Sequence, residues 1–310
     1  MPPQVSVVMP AFNEAANLEV VVAEVAERLE QAGHGHEIIV VDDGSTDGTP
    51  EVLGRIRKAN PAVRGIRFRR NLGKSAALRV GLREAKGAVV VLMDADGQDD
   101  PHEIPVLLAA LDQGMDLVTG RRAVRRDRPV KRWTSKLYNA TTARITGVRG
   151  SDFNSGFKAM KRCVADRLDL YGELHRYIPV LAAWAGYSVG EVDVEHRPRL
   201  HGQSKFGHAR FWRGFFDLLT VKFLTTYTAR PLHLFGLVGA AFGMAGTALL
   251  AWMLALRIGG EAIGDRPALL AGILLVVVAV QLYSVGLLAE LFVHHGMRRD
   301  PEEWVEERIE

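Results

Sequence analysis

The sequence predicts an α/β protein: an open, mostly parallel sheet, followed by interfacial amphipathic helices and a two-helix transmembrane hairpin. Three observations carry this. Over the first 120 residues, short apolar runs alternate with amphipathic helical stripes. Acidic and amide residues stand just after several of the apolar runs. Two long and almost uncharged runs, residues 232–256 and 268–293, lie near the end of the chain, and each exceeds the roughly 20 residues needed to cross the hydrocarbon core of a bilayer.

Taken in order, residues 5–9 form an apolar run closed by Pro10, a strand. Residues 17–31 set Leu18, Val21, Val22, Val25 and Leu29 on one helical stripe that stops at Gly33. Residues 37–41 read as a second buried strand, followed by the turn Asp42-Asp43-Gly44-Ser45-Thr46-Asp47. Pro50 suits the first position of a helix that ends near Asn60. Residues 66–68 suggest a third strand, 75–85 a helix closing at Gly87, and 88–93 a strongly apolar strand ending at Asp94. Asp100, Pro101 and Glu103 supply a cap, a first-turn proline and a capping-box acid for the next helix. Residues 116–119 read as another strand. In open sheets of this kind ligands collect at the carboxyl ends of strands, where Asn13, Asp43 and Asp94 stand.

Composition narrows the class. With 48% hydrophobic and 24% charged residues, the 310-residue chain is globular rather than disordered. A single cysteine, Cys163, excludes a disulfide framework and a cysteine-based zinc site. No basic-then-apolar leader precedes the first strand, so the first domain is expected in the cytoplasm. Lys and Arg are dense before the first apolar run (Arg210, Arg213, Lys222, Arg230) and after the second (Arg298, Arg299), whereas the connector carries only Arg257 and Arg266. The positive-inside rule then puts both ends of the hairpin in the cytoplasm. Residues 206–228 interleave aromatic and cationic side chains, the pattern of a helix lying at a bilayer surface. Gly239 and Gly243 have the spacing of a close-packing membrane face, which leaves room for a homo-oligomer. Glu290 reads as a snorkelling or interfacial residue rather than a transport site.

The chemistry concentrates in Asp94-Ala95-Asp96. Two carboxylates one residue apart in a turn can hold a hard cation while leaving its other positions to water or phosphate oxygens. Such a cation neutralises charge developing on a diphosphate leaving group. Aspartate also favours turns for purely local reasons, but Asp42-Asp43 repeats the pattern after another strand. The run 121–136 holds Arg121, Arg122, Arg125, Arg126, Arg128, Lys131, Arg132 and Lys136 against Asp127 alone. No helix-turn-helix or RNP-type motif accompanies it, so nucleic acid is not the expected partner. Beside membrane spans, attraction to anionic headgroups explains it better.

Four segments occur in order: Val8-Met9-Pro10-Ala11-Phe12-Asn13-Glu14, Val41-Asp42-Asp43-Gly44-Ser45-Thr46-Asp47-Gly48-Thr49, Asn71-Leu72-Gly73-Lys74 and Met93-Asp94-Ala95-Asp96-Gly97-Gln98. Through them residues 5–120 resemble glycosyltransferase family 2, with its GT-A fold. Gly120-Arg121-Arg122 and residues 131–136, 152–158 and 199–205 are similar to the dolichyl-phosphate mannose synthase and polyprenyl-phosphate glucosyltransferase branch.

The resemblance implies inverting transfer of a hexose from a nucleotide diphosphate sugar, of UDP-glucose or GDP-mannose type, to a polyprenyl phosphate. Mg²⁺ or Mn²⁺ is the implied cofactor, with Asp94, Asp96 and Gln98 around the metal and Asp96 the direct ligand. Pro10, Phe12, Glu14, Val41 and Asp43 match positions that contact base and ribose. Lys74, Asp94, Ala95, Asp96, Gln98 and Lys205 match the donor side. Arg122, Lys131, Arg132, Ser135 and Arg199 match the acceptor-phosphate side, and Asp152 is expected to touch the sugar, orient Lys158 or cap its loop. Phe12 replaces a tyrosine of some members and lacks its hydroxyl. Lys131 replaces an arginine and lacks its bidentate fork, which brings in Arg132.

The implied organisation is a cytoplasmic catalytic domain over 1–205, interfacial helices over 206–230, spans over 231–257 and 267–295 joined by a short outer connector at 258–266, and a cytoplasmic tail over 296–310, in the inner membrane. A polysaccharide synthase and a silent nucleotide-binding scaffold are the alternatives. The Q-x-x-R-W motif of the first is missing from the sequence, and the acidic turn argues against the second.

Overall fold

The chain begins with strand β1, Val5–Ala11, and the helix α1, Leu18–Gln31, which packs against the following strand. In the computed structural model, residues 3–122, 143, 152–153, 155–197, 231–264 and 266–296 are described. They belong to two units, Met1–Val221 and Lys222–Glu310.

In the first unit the alternation continues through β2 (His36–Asp42), α2 (Thr49–Ala59), β3 (Val63–Arg67), α3 (Lys74–Glu84) and β4 (Val89–Leu92). A 3-10 turn (Pro101–Glu103), α4 (Ile104–Asp112), β5 (Leu117–Arg122), β6 (Lys158–Lys161), α5 (Arg162–Arg167), a second 3-10 turn (Leu174–Tyr177), α6 (Ile178–Trp184) and β7 (Val189–Val194) follow. The sheet has seven strands in the order β3-β2-β1-β4-β6-β5-β7. β1 runs parallel to β2 and β4, β2 to β3, and β5 to β7; β6 is antiparallel to both of its neighbours.

Burial on both faces explains the uninterrupted apolar strands. Val7, Val8, Ile38, Ile39, Val90 and Val91 are all fully buried. The stripe expected on α1 faces the core without exception: Leu18, Val21, Val22, Val25 and Leu29 are buried. α3 lies so close to the sheet that a side-chain carbon at Gly81 would collide with Val8.

The differences from expectation are informative. β3 starts at Val63, where it pairs with Ile38, and not at position 66. β5 runs on to Arg122 because Arg122 pairs with Val194 of β7, a partner far away in sequence. Asp100 caps the 3-10 turn, accepting the His102 amide at 2.9 Å, so that α4 begins only at Ile104.

The second unit is a helical hairpin, α7 (Pro231–Ile258) and α8 (Pro267–Gly296). Both helices are long and apolar enough to cross a membrane, and only 11% of each apolar window is buried. A core helix of a water-soluble domain would be mostly buried, so these faces are built for an apolar surrounding. The glycines line the seam between the two helices. A side-chain carbon at Gly246 would lie 2.9 Å from Leu275 and Val276, one at Gly272 2.9 Å from Leu250, and one at Gly286 2.9 Å from Leu232. Gly239 and Gly243 face Ala279 at 3.3 Å and 3.4 Å. The G-x-x-x-G spacing therefore serves the hairpin itself. Glu290, expected as an interfacial residue, accepts the Leu232 amide at 3.2 Å, satisfying one of the unpaired donors at the amino end of α7.

Candidate active site

The loops after β1 and β2 are stitched together by polar contacts. Asn13 holds a left-handed conformation, φ 59°, which asparagine tolerates better than most residues. Its amide donates to Ser45 Oγ at 2.9 Å, and its Oδ1 accepts the Thr46 amide at 2.9 Å. The Glu14 amide donates to Thr49 Oγ1 at 3.0 Å. Asp43 reaches the next loop instead, where its carboxylate accepts the amides of Leu72 at 2.7 Å and Gly73 at 2.9 Å. Gly44, at φ 70°, sits so close to Arg70 that any side chain would strike its backbone. The loops after β1, β2 and β3 are thus held in one arrangement at the carboxyl edge of the sheet.

Between them lies a cavity of about 290 Å³ lined by Pro10, Ala11, Phe12, Glu14, Asp43, Asn71, Gly73, Lys74, Asp94, Ala95 and Asp96. Lys74, the first residue of α3, places Nζ 2.5 Å from Asp94 Oδ1. The Asp94 amide donates to Asp99 Oδ2 at 3.2 Å, and the Gln98 amide to Asp96 Oδ1 at 3.1 Å.

The neighbouring carboxyls Asp94 and Asp99 are driven apart. Burial works to raise Asp94, but the Lys74 ammonium, then Lys158 and Arg122, hold it below the usual carboxylate range. Asp99 is pushed up to about 7 by burial and by the charge of Asp94.

Beside this turn, Arg122 is gripped by buried Asp152, with Nε to Oδ2 at 2.7 Å and Nη2 to Oδ1 at 2.9 Å. The Asp152 amide donates to Glu191 at 3.1 Å. Lys158, on β6, is 1% exposed and donates to the Ser155 carbonyl. Burial and the like charge of Lys74 lower it to about 8, against the opposing pull of Asp152, Asp94 and Asp99.

The donor set fits a hard divalent cation. Asp94 and Asp96 both line the cavity, and a cation, the Lys74 ammonium, is already attracted to Asp94. Among the described residues no three His, Cys, Asp or Glu side chains are grouped to hold a metal alone. A metal held here would need further oxygens from water or a diphosphate.

Of the residues expected from sequence, Pro10, Phe12, Glu14, Asp43, Lys74, Asp94, Ala95 and Asp96 come together on this cavity. Val41 is fully buried in β2 and does not line it. Gln98 does not line it either; its amide is held by Asp96, and its carbonyl accepts the Arg197 amide at 2.8 Å. Lys131, Arg132, Ser135, Arg199 and Lys205 lie outside the described residues, as do residues 206–230. Asn71 and Gly73 line the cavity without having been assigned to it, although they flank Leu72 in the segment that ends at Lys74. Asp99 stands beside Asp100, whose capping role accounts for the run, and nothing local in the sequence marks it.

A carboxylate pair at the strand ends of a GT-A-type sheet defines a nucleotide-sugar glycosyltransferase architecture, and the comparisons agree. Residues 6–169 match the family model "Glycosyl transferase family 2". The chain is 35% identical to the dodecaprenyl-phosphate galacturonate synthase of Rhizobium johnstonii over 96% of this chain and 90% of the relative. It is 34% identical to the undecaprenyl-phosphate 4-deoxy-4-formamido-L-arabinose transferase of Pseudomonas savastanoi pv. phaseolicola, over 98% and 90%. Among solved structures it is similar in fold to glucosyl-3-phosphoglycerate synthase of Mycobacterium tuberculosis in complex with Mn²⁺ and UDP-glucose, with a TM-score of 0.56 at 21% identity over 72% of this chain and 79% of that one. The chain belongs to glycosyl transferase family 2.

Proposed function

We propose that this protein transfers a hexose from a nucleotide diphosphate sugar to a polyprenyl phosphate with inversion, at the cytoplasmic face of the inner membrane. The observation that carries this reading is the cavity that Asp94, Asp96 and Lys74 line at the ends of parallel strands, in a chain that also has two membrane-length helices. The names of the relatives supply the acceptor class.

Pro10 and Phe12 offer an apolar wall to the base, while Glu14 and Asp43 offer oxygens to base or ribose. Asp94 and Asp96, with Gln98 beside them, would hold Mg²⁺ or Mn²⁺, which supplies charge neutralisation on the departing diphosphate. Lys74 adds a cation on the donor side, joined by Lys205. The acceptor phosphate, whose second ionisation falls near pH ~6, is already an anion at neutral pH. Transfer therefore needs no strong general base, and the rate comes from positioning and charge stabilisation. Arg122, Lys131, Arg132, Ser135 and Arg199 position that phosphate, with Asp152 fixing the direction of the Arg122 fork.

The test is a donor panel. Purified protein with undecaprenyl phosphate is given radiolabelled UDP-glucose, GDP-mannose, and nucleotide-linked galacturonate and formamido-arabinose. Label should enter an organic-extractable product, stop with EDTA and return with Mg²⁺ or Mn²⁺. An insoluble polymer would point to a polysaccharide synthase, and no product from any donor to a scaffold.

A further inference from the structure

Lys158 is the one buried lysine or arginine among the described residues. Its strand sits in the middle of the sheet: Lys158 pairs with Leu92 of β4 on one side and Thr119 of β5 on the other. Leu92 is two residues before Asp94, and Thr119 is three before Arg122. The ammonium is therefore inserted between the acidic turn and the arginine, where water cannot solvate it.

A buried charge of this kind is costly unless it is compensated. The compensation comes from the Ser155 carbonyl, which it meets directly, and from the negative charges of Asp152, Asp94 and Asp99, which act on it through space. Ser155 precedes Gly156, whose backbone rests against Asp94 so closely that a side-chain carbon there would lie 2.7 Å from Asp94 Oδ2. Phe157, also fully buried, closes the loop, and its carbonyl accepts the Gly120 amide at 2.9 Å. One lysine thus fixes the loop that backs Asp94 and places a positive charge behind the carboxylates that face the cavity.

We propose that Lys158 is a positioning residue of the transfer site, its buried ammonium pinning the loop at 155–157 against Asp94 and tempering the negative field of the acidic turn. This rests on the reading of that turn as a divalent-cation site. The two effects have opposite signs for a bound cation. Pinning Asp94 favours binding, because the ligand is pre-organised. The positive charge opposes binding, because like charges repel. The gain from the second arrangement is release: a cation held too tightly by Asp94 and Asp96 would keep the diphosphate product in place.

The two roles separate by substitution. Lys158→Gln removes the charge and keeps a donor for the Ser155 carbonyl, whereas Lys158→Met removes both. Gly156→Ala leaves Lys158 intact and pushes on the Asp94 carboxylate. Mn²⁺ binding to the full-length protein in detergent, without nucleotide, is followed by electron paramagnetic resonance, and turnover and KM are measured alongside.

Lys158→Gln is expected to tighten Mn²⁺ by about tenfold or more, because a nearby like charge at an effective dielectric of ~20 is worth at least that, and to lower kcat more than it changes the KM for donor. Lys158→Met should bind Mn²⁺ less tightly than Lys158→Gln. Gly156→Ala should weaken Mn²⁺ about tenfold. A general loss of structure weakens binding in every variant and cannot produce the tightening. A folded Lys158→Gln protein with unchanged or weaker Mn²⁺ affinity overturns the proposal. So does unaltered affinity in Gly156→Ala, which stands as the decisive variant if the Lys158 substitutions do not fold. If the unsubstituted protein itself binds no Mn²⁺, with or without nucleotide, it is the cation reading of the acidic turn that fails.

Discussion

The sheet unit and the hairpin use the same apolar residues in opposite senses. In the sheet, Val7, Ile39 and Val91 are 0% exposed; in the hairpin, Leu237, Ile258 and Phe292 are 74%, 79% and 78% exposed, while Gly239 and Gly246 are buried. Water drives the first arrangement, because apolar surface leaves it. In lipid that drive is absent, and helices associate through close packing of small residues. Polar groups follow the same division. The sheet unit gathers its buried charges near strand ends and pays for their burial with hydrogen bonds. The hairpin places one carboxylate, Glu290, on the free amide at a helix start. One unit is organised to hold charge near a substrate, the other to present an apolar surface.

The sharpest way to break the contrast is Asp96→Ala. Turnover should fall by about 10³-fold or more, since the charge stabilisation of the leaving group goes with it. The melting temperature of the sheet unit should hardly move, because Asp96 is at the cavity and outside the apolar core. Parallel loss of turnover and of the fold would make the acidic turn a structural element.

Gly246→Leu is a smaller change aimed at the other unit. The new side chain has no room against Leu275 and Val276, and overpacking of this kind costs about 1–3 kcal/mol. Reversible unfolding in detergent should show the loss in the hairpin, with Mn²⁺ affinity unchanged. Full stability in the variant would mean that the glycine seam is not what joins the helices.

The smallest effect is a pH dependence confined to the sheet unit. Asp116 accepts Lys161 Nζ at 2.8 Å and, from Ser188, the amide at 2.9 Å and the hydroxyl at 2.8 Å. Burial opposes its ionisation, yet these donors hold it below the usual carboxylate range. A depressed folded value means that the stabilisation is complete above the unfolded value of about 3.9 and is lost as pH falls through the folded one. Asp116→Asn should therefore cost about 1 kcal/mol near pH ~7. The difference from the parent protein should shrink in urea titrations below pH ~4. A difference that stays constant down to strong acid would assign the effect to shape rather than charge.

Much of the site was legible because it depends on short segments. The turn at 42–47, the loop ending at Lys74 and the acidic turn at 94–96 each follow their strand directly, and parallel strands bring all three to one edge. The burial of Lys158 and the closed fork of Arg122 on Asp152 were not legible. A four-residue strand with lysine at both ends shows no period, and nothing local says which lysine is inside. The chemistry of Asp43 is plain in its turn, but its hold on the Leu72 and Gly73 amides depends on a third loop about thirty residues away.

By itself, the sequence determined the strand–helix alternation, the helical stripe on α1, the two apolar spans and the acidic turn, since each is set by neighbours within a few positions along the chain. Only the tertiary structure decided that β6 enters antiparallel between β4 and β5, that Lys158 is buried behind Asp94, and that the glycines of α7 face α8. Those outcomes depend on partners far apart in the chain, and pairing across such distances is selected by the packing of the whole unit.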